Sequence, residues 1–184
     1  MMWDLPVSVE IDGEIHPIRK RCNYTVVLDV IGVISDESLT KDEQIKCALF
    51  IFYEDVSKIT NLQTAVVEMF KIINLGEQSE EDTKPQPKLI DWEFDFPRIA
   101  PPVNKVLGYD LRDSNNYTHW YTFIGAYMEI GECTFTNIIN IRSKRAKGKP
   151  LEKGEREFYS RNKHIIDFPR KLTPEEEEFL NSEW

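Results

Sequence analysis

"HWYTFIGAYMEIGECTFTNIINIR", His119 to Arg142, puts a histidine, two glutamates, a cysteine and several aromatic residues within 24 positions. The stretch reads either as a reactive centre or as a packing surface, and the fold follows from which it is. Spacing favours packing. Trp120, Phe123, Ile124, Tyr127 and Met128 recur at i, i+3, i+4, i+7 and i+8, which is one helical stripe. Gly125 and Ala126 lie on the other side, small enough for a second helix to approach. The expected structure is a helix from about Asn116 to Ile130, a stop at Gly131 and a second helix from about Thr134 to Lys147. His119 and Cys133, the one Cys–His pair close in sequence, are then about 20 Å apart at 1.5 Å per residue. Proton transfer needs heavy atoms about 3 Å apart.

Upstream, "VSVEIDGEIHPIR" alternates apolar and polar residues around Asp12-Gly13, a favoured hairpin turn because both residues tolerate positive φ. Helical spacing follows in three segments. In 24–34, Val27, Ile31 and Ile34 share a stripe. The segment 40–55 opens with the capping box Thr40/Glu43 and lines up Ile45, Leu49 and Phe52 beside the small Ala48. In 60–76, Leu62, Val66, Met69, Phe70 and Ile73 share a stripe, and Gly76 is placed to end the helix in the left-handed conformation. Pro97, Pro101 and Pro102 predict a broken 89–112 region, with a short helix from Asp91, a break near Pro97 and a second piece to Leu107, stopped by Gly108. Further helices are expected over 151–164 and over 173–184, where Thr173 and Pro174 make a helix start. The fold class is mainly α: helical bundles with a short N-terminal β-hairpin. Residues 1–76 form the hairpin and a three-helix sub-bundle. An acidic, proline-containing linker spans 77–88, and a C-terminal helical sub-bundle covers 89–184. One continuous domain is the alternative.

Composition narrows the chemistry. The 184 residues are long enough for a core without metal or disulfide support. Cys22, Cys47 and Cys133 are odd in number, match no zinc spacing and read as reduced thiols of the cytoplasm. The N-terminus has neither a basic n-region nor an apolar h-region, and no apolar run approaches the ~20 residues needed to span a bilayer. Phosphate-binding glycine patterns and a nucleophile elbow are absent. The three histidines are dispersed. No catalytic residue, metal ligand or cofactor is expected. The net charge of −9 argues against nucleic acid, but the charge is segregated. Residues 77–95 carry seven acids and two bases, 142–156 seven bases and two acids, and 173–184 five acids and no base. The basic segment is expected to pair with an acidic surface, either the chain's own 77–95 or a partner's.

The strings "MWDLPVSVEIDGEIHPIR", "DWEFDFPRIAPPVNKVLGYDLR" and "HWYTFIGAYMEIGECTFTNIINIRSKRAKGKPLEKGEREFY" resemble the tail-assembly chaperone family of long-tailed phages and prophages of Gram-positive bacteria. The resemblance covers nearly the whole chain and is densest from 91 to 163. It implies a non-enzymatic protein of the host cytoplasm. Such a protein keeps the tape measure protein soluble, helps recruit tail tube subunits, works in some systems beside a sister chaperone made by frameshifting, and is absent from the virion. The competing reading is a phage protein that binds and modulates a host or defence protein. Candidate partner-binding residues are Trp92, Phe94 and Phe96 in the proline-rich segment, Trp120, Tyr121 and Tyr127 on the aromatic helix, and Arg142, Lys144 and Arg145 in the basic segment. Core packing competes for each.

Overall fold

The computed structural model describes residues 4–76 and 87–169. The helix expected over 173–184 and most of the 77–88 linker lie outside them.

A hairpin opens the fold. Strands β1 (Ser8–Ile11) and β2 (Glu14–Pro17) pair antiparallel, with Val9 opposite His16 and Ile11 opposite Glu14. Asp12 and Gly13 take φ of 52° and 85°, as the two-residue turn requires. Val9, Ile11 and His16 are buried against the helices, so the hairpin gains the packing that a lone one lacks. Three helices follow: α1 (Tyr24–Ile34), α2 (Lys41–Phe52) and α3 (Leu62–Ile73). Each has a side-chain N-cap, from Asn23, Thr40 and Asn61 respectively, and the Thr40/Glu43 capping box is formed. Arg19 caps the far end of α2. Its guanidinium donates to the carbonyls of Phe50, Ile51 and Tyr53 at 2.9–3.1 Å.

One expectation for α3 needs correction. Its buried residues are Ala65, Met69 and Ile72, so the inward face is centred about one residue away from the expected stripe, and Leu62 is 49% exposed. Its end is as expected, with Gly76 in the left-handed conformation at φ of 85°. Leu75 as well as Gly76 has positive φ, and the Gly76 N–H closes on the Lys71 carbonyl at 2.7 Å.

The larger correction concerns α4 (Trp92–Leu107), which runs unbroken through Pro97, Pro101 and Pro102. Each proline removes one i→i−4 donor. The residues whose carbonyls lose a partner, Glu93, Pro97 and Arg98, lie on the outer side, where Glu93 and Pro97 are exposed. The inner side is held by Asp95, Ile99, Ala100 and Val103, all buried. Asp91 caps the start through the Phe94 N–H, and Gly108, with φ of 80°, ends the helix as expected. Tertiary packing of one face therefore overrides the local preference to break.

Helices α5 (Trp120–Met128), α6 (Thr134–Ala146) and α7 (Lys153–Ile166) complete the described chain. The expected stop at Gly131 is present, with φ of 62°. Just before α5 the backbone returns to the N-terminal part. The Tyr24 N–H donates to the Thr118 carbonyl and the Trp120 N–H to the Cys22 carbonyl, at 3.0 and 2.9 Å. The main core draws on both sides of 77–86, from Val9 to Phe135. A second cluster of Ile138, Ile141 and Ile166 holds α7 on α6, flanked by Leu151, Phe158, Tyr159 and Ile165.

Gly154 lies in the first turn of α7 with open space where a Cβ would be, at an ordinary helical φ. Glycine costs a helix about 1 kcal/mol relative to alanine. Gly154→Ala is therefore expected to stabilise the protein by up to about 1 kcal/mol, raising Tm by about 2–4 °C in calorimetry.

Candidate functional site

The aromatic residues of α4 and α5 meet in one interior cluster. Tyr24 stacks on Phe123 with centroids 4.9 Å apart, Trp120 on Phe123 at 5.7 Å, and Trp92 lies 5.3 Å from Tyr127. Offset and edge arrangements of this kind contribute about 0.5–1.5 kcal/mol each beyond area burial. The Trp120 indole N–H donates to the Ile73 carbonyl at 3.0 Å, tying α5 to the end of α3. Phe96 lies 6.2 Å from Tyr24, and Phe94 meets Phe168 edge-on at 6.1 Å. Tyr121 is half-buried and packs edge-on against His119. The structure thus brings Trp92, Trp120 and Tyr127 together, with Trp120 buried and Trp92 and Tyr127 partly buried at its edge.

Met128 departs from the expected stripe. It is 67% exposed, while Ala126 is buried. The inward arc of α5 is rotated toward Ala126 and leaves Met128 at the helix end outside it. Gly125 has open space around it, so no helix approaches it closely.

Arg142 occupies the most demanding position. It stands on the stripe of α6 that includes Phe135, Ile138 and Ile141, and it is 6% exposed. Its guanidinium takes both carboxylate oxygens of Asp95, at 2.6 and 3.0 Å. It also donates to the carbonyls of Leu89, Ile165 and Ile166 at 2.6–3.1 Å, and it lies 4.0 Å from the Phe168 ring centroid. Asp95, fully buried, accepts a further bond from the Asp91 N–H. A planar, bidentate pair with its remaining donors on carbonyls meets the requirements for burying two charges. Asp95 belongs to the acidic 77–95 segment, so the basic segment does reach its own acidic counterpart. Lys144 and Arg145 make surface pairs, Lys144 with Glu152 and Glu155 and Arg145 with Asp167.

Neither half of the Cys133–His119 pair contacts the other. Cys133 stands at the N-cap position of α6, its thiol near the Thr136 hydroxyl. His119 caps α5, with Nδ1 accepting the Tyr121 N–H at 3.0 Å and Nε2 lying 2.9 Å from the Pro6 carbonyl. A ring with both jobs must be neutral with the proton on Nε2. Burial pushes the Cys22 thiol up to about 12, opposed in part by the Trp120 N–H. Among the described residues no group of His, Cys, Asp and Glu is placed to hold a metal, and no helix is long and apolar enough to cross a membrane.

Large apolar side chains remain outside. Ile15 is 72% exposed, Phe50 68% and Val67 58%. Phe50 was legible as an outlier, since it lies off the Ile45/Leu49/Phe52 face of its own helix. Arg142 was legible in the same way, as a charge standing on an apolar stripe.

These features define a mainly helical protein stapled by a buried ion pair. The chain belongs to the bacteriophage Gp15 protein family, whose model matches residues 2–168. No curated protein and no solved structure matches it significantly.

His119 supplies a pH signature. Burial holds its pKa below the usual imidazole range, offset in part by the Pro6 hydrogen bond. In the unfolded chain it titrates near 6.5, so below about pH 6.5 the unfolded state binds a proton that the folded state refuses. Stability from this residue is full above about pH 6.5 and declines as pH falls toward the depressed folded value. Urea denaturation at pH 7.5 and 5.5 is expected to show the loss in the natural chain. His119→Asn, which keeps a capping acceptor, should lose less over the same interval.

Proposed function

We propose that this chain is a tail-assembly chaperone of a long-tailed phage of Gram-positive bacteria. It acts in the host cytoplasm, where it binds the tape measure protein, keeps it soluble and helps bring tail tube subunits to it. The observation that carries this reading is the match of residues 2–168 to a bacteriophage family. It supports a phage structural or assembly-related role, and the sequence strings narrow that role to the chaperone. Catalysis forms no part of the proposal. Of the best candidates for chemistry, His119 caps α5 through Nδ1, and Cys133 stands at the N-cap position of α6 with its thiol against the Thr136 hydroxyl.

A holder of amphipathic helices has to present apolar surface and also release its client. Because Trp92, Trp120 and Tyr127 pack on one another, the proposal places client contact on apolar side chains that project outward, Phe50 and Val67 among them. The negative net charge would steer encounter with basic segments of a client.

Co-expression with the tape measure protein of the same phage tests the proposal. The tape measure protein should move to the soluble fraction and co-purify with this chain. A tape measure protein that stays insoluble with nothing co-purifying would contradict it. One stoichiometric host protein captured from uninfected cells in its place would favour the reading as a modulator of host or defence proteins.

A further inference from the structure

The cations between Arg142 and Arg161 fall into two groups. Arg142 is paired with Asp95, Lys144 with Glu152 and Glu155, and Arg145 with Asp167. Lys147, Lys149, Lys153, Arg156 and Arg161 are all exposed, and none of these joins a salt bridge among the described residues. Arg156 donates to the Leu151 carbonyl, which leaves its charge uncompensated. The acids closest to these side chains in sequence, Glu152 and Glu155, are already engaged by Lys144. Glu157 is exposed one turn before Arg161, yet no ion pair joins the two.

Helical spacing gathers these charges on one side. Lys153, Arg156, Glu157, Ser160 and Arg161 fall at i, i+3, i+4, i+7 and i+8, all exposed, opposite the half-buried Phe158, Tyr159 and Ile165. The stripe is about 12 Å long from Lys153 to Arg161, at 1.5 Å per residue. Past its C-terminal end, Ser160, Arg161, His164 and Phe168 line a shallow, open depression of about 470 Å³.

Three kinds of partner suit a positive face. A phosphate backbone is repelled by the net charge of −9, and the rings of Phe158 and Tyr159 lie on the inner side, where they stack on no base. An anionic bilayer requires large apolar side chains beside the cations, and among the described residues α7 exposes none. An acidic protein segment requires only carboxylates at matching spacing, with one apolar side chain for the depression.

We propose that the outer face of α7 docks an acidic segment of another protein. The proposal stands apart from the identity of the client, whose contacts are placed on apolar side chains. It is tested on the full chain with a fluorescein-labelled peptide of about 12 residues, half of them Glu and one of them Leu, long enough as a helix to cover the stripe. At about 50 mM NaCl the peptide should bind and shift the amides from Lys153 to His164 in NMR, and about 0.5 M NaCl, where the Debye length falls to a few Å, should release it. Lys153→Gln, Arg156→Gln and Arg161→Gln together should weaken binding at least about tenfold. Lys20→Gln, Arg21→Gln and Lys105→Gln remove as much charge from exposed sites elsewhere, and should leave binding within about twofold. Absence of binding, or equal weakening by both triple variants, would overturn the proposal. So would tighter binding, at the same amides, of single-stranded DNA with the same number of charges, which would make the partner a nucleic acid. Concentration-dependent shifts of these amides without peptide would make the occupant a second copy and overturn it as well.

Discussion

The ion pair between Arg142 and Asp95 is the constraint on which the arrangement of the described C-terminal helices depends. It joins α6 to α4. Its spare donors reach backward to Leu89 at the entry to α4 and forward to Ile165 and Ile166 at the end of α7. One guanidinium therefore satisfies backbone carbonyls from two separate segments and a buried carboxylate from a third. Two charges out of water cost several kcal/mol each, and the pair is tolerated because nearly every lone pair and proton has a partner. The cost of breaking it is correspondingly high, since either member left alone is a buried charge. The same pair helps α4 remain a helix despite three prolines. Asp95 fixes the first turn from inside, and the residues that lose hydrogen bonds are on the outside.

Arg142 also connects the two hydrophobic clusters. The main core is held by the aromatic stack of Tyr24, Trp92, Trp120, Phe123 and Tyr127, and by the backbone exchange between Cys22–Tyr24 and Thr118–Trp120. The second cluster has three buried residues, Ile138, Ile141 and Ile166. With few buried apolar residues, α7 is expected to open at lower free energy than the main core. This sets α7 apart from the interior formed by α1, α4 and α5.

Much of the fold was legible in the sequence. The Asp12-Gly13 hairpin, the Thr40/Glu43 capping box, and the helix stops at Gly108 and Gly131 depend on local chemistry, and each lies where the pattern put it. Failures came where a distant partner decides. The unbroken α4 needs Asp95 and the core beneath it. The inward arcs of α3 and α5 are set by what packs on them, which rotates burial toward Ala65 and Ala126 and leaves Leu62 and Met128 outside. The basic segment was read as one surface because its charges are contiguous in sequence. Helical geometry divides it, sending Arg142 in with Ile138 and Ile141 and leaving Lys144 and Arg145 at the rim. A charge standing on an apolar stripe, Arg142 beside Ile138 and Ile141, was the signal available; its partner Asp95, 47 residues away, was not.

Native-state hydrogen exchange on Arg142→Met tests the role of this residue most directly. The account predicts a loss of about 3–5 kcal/mol in global stability. It also predicts that the amides of α7 lose protection through a local opening that precedes global unfolding, while those of α1 and α5 exchange only with the whole molecule. An Arg142→Met chain as stable as the natural one, with α7 protected to the same degree as α1, would contradict it.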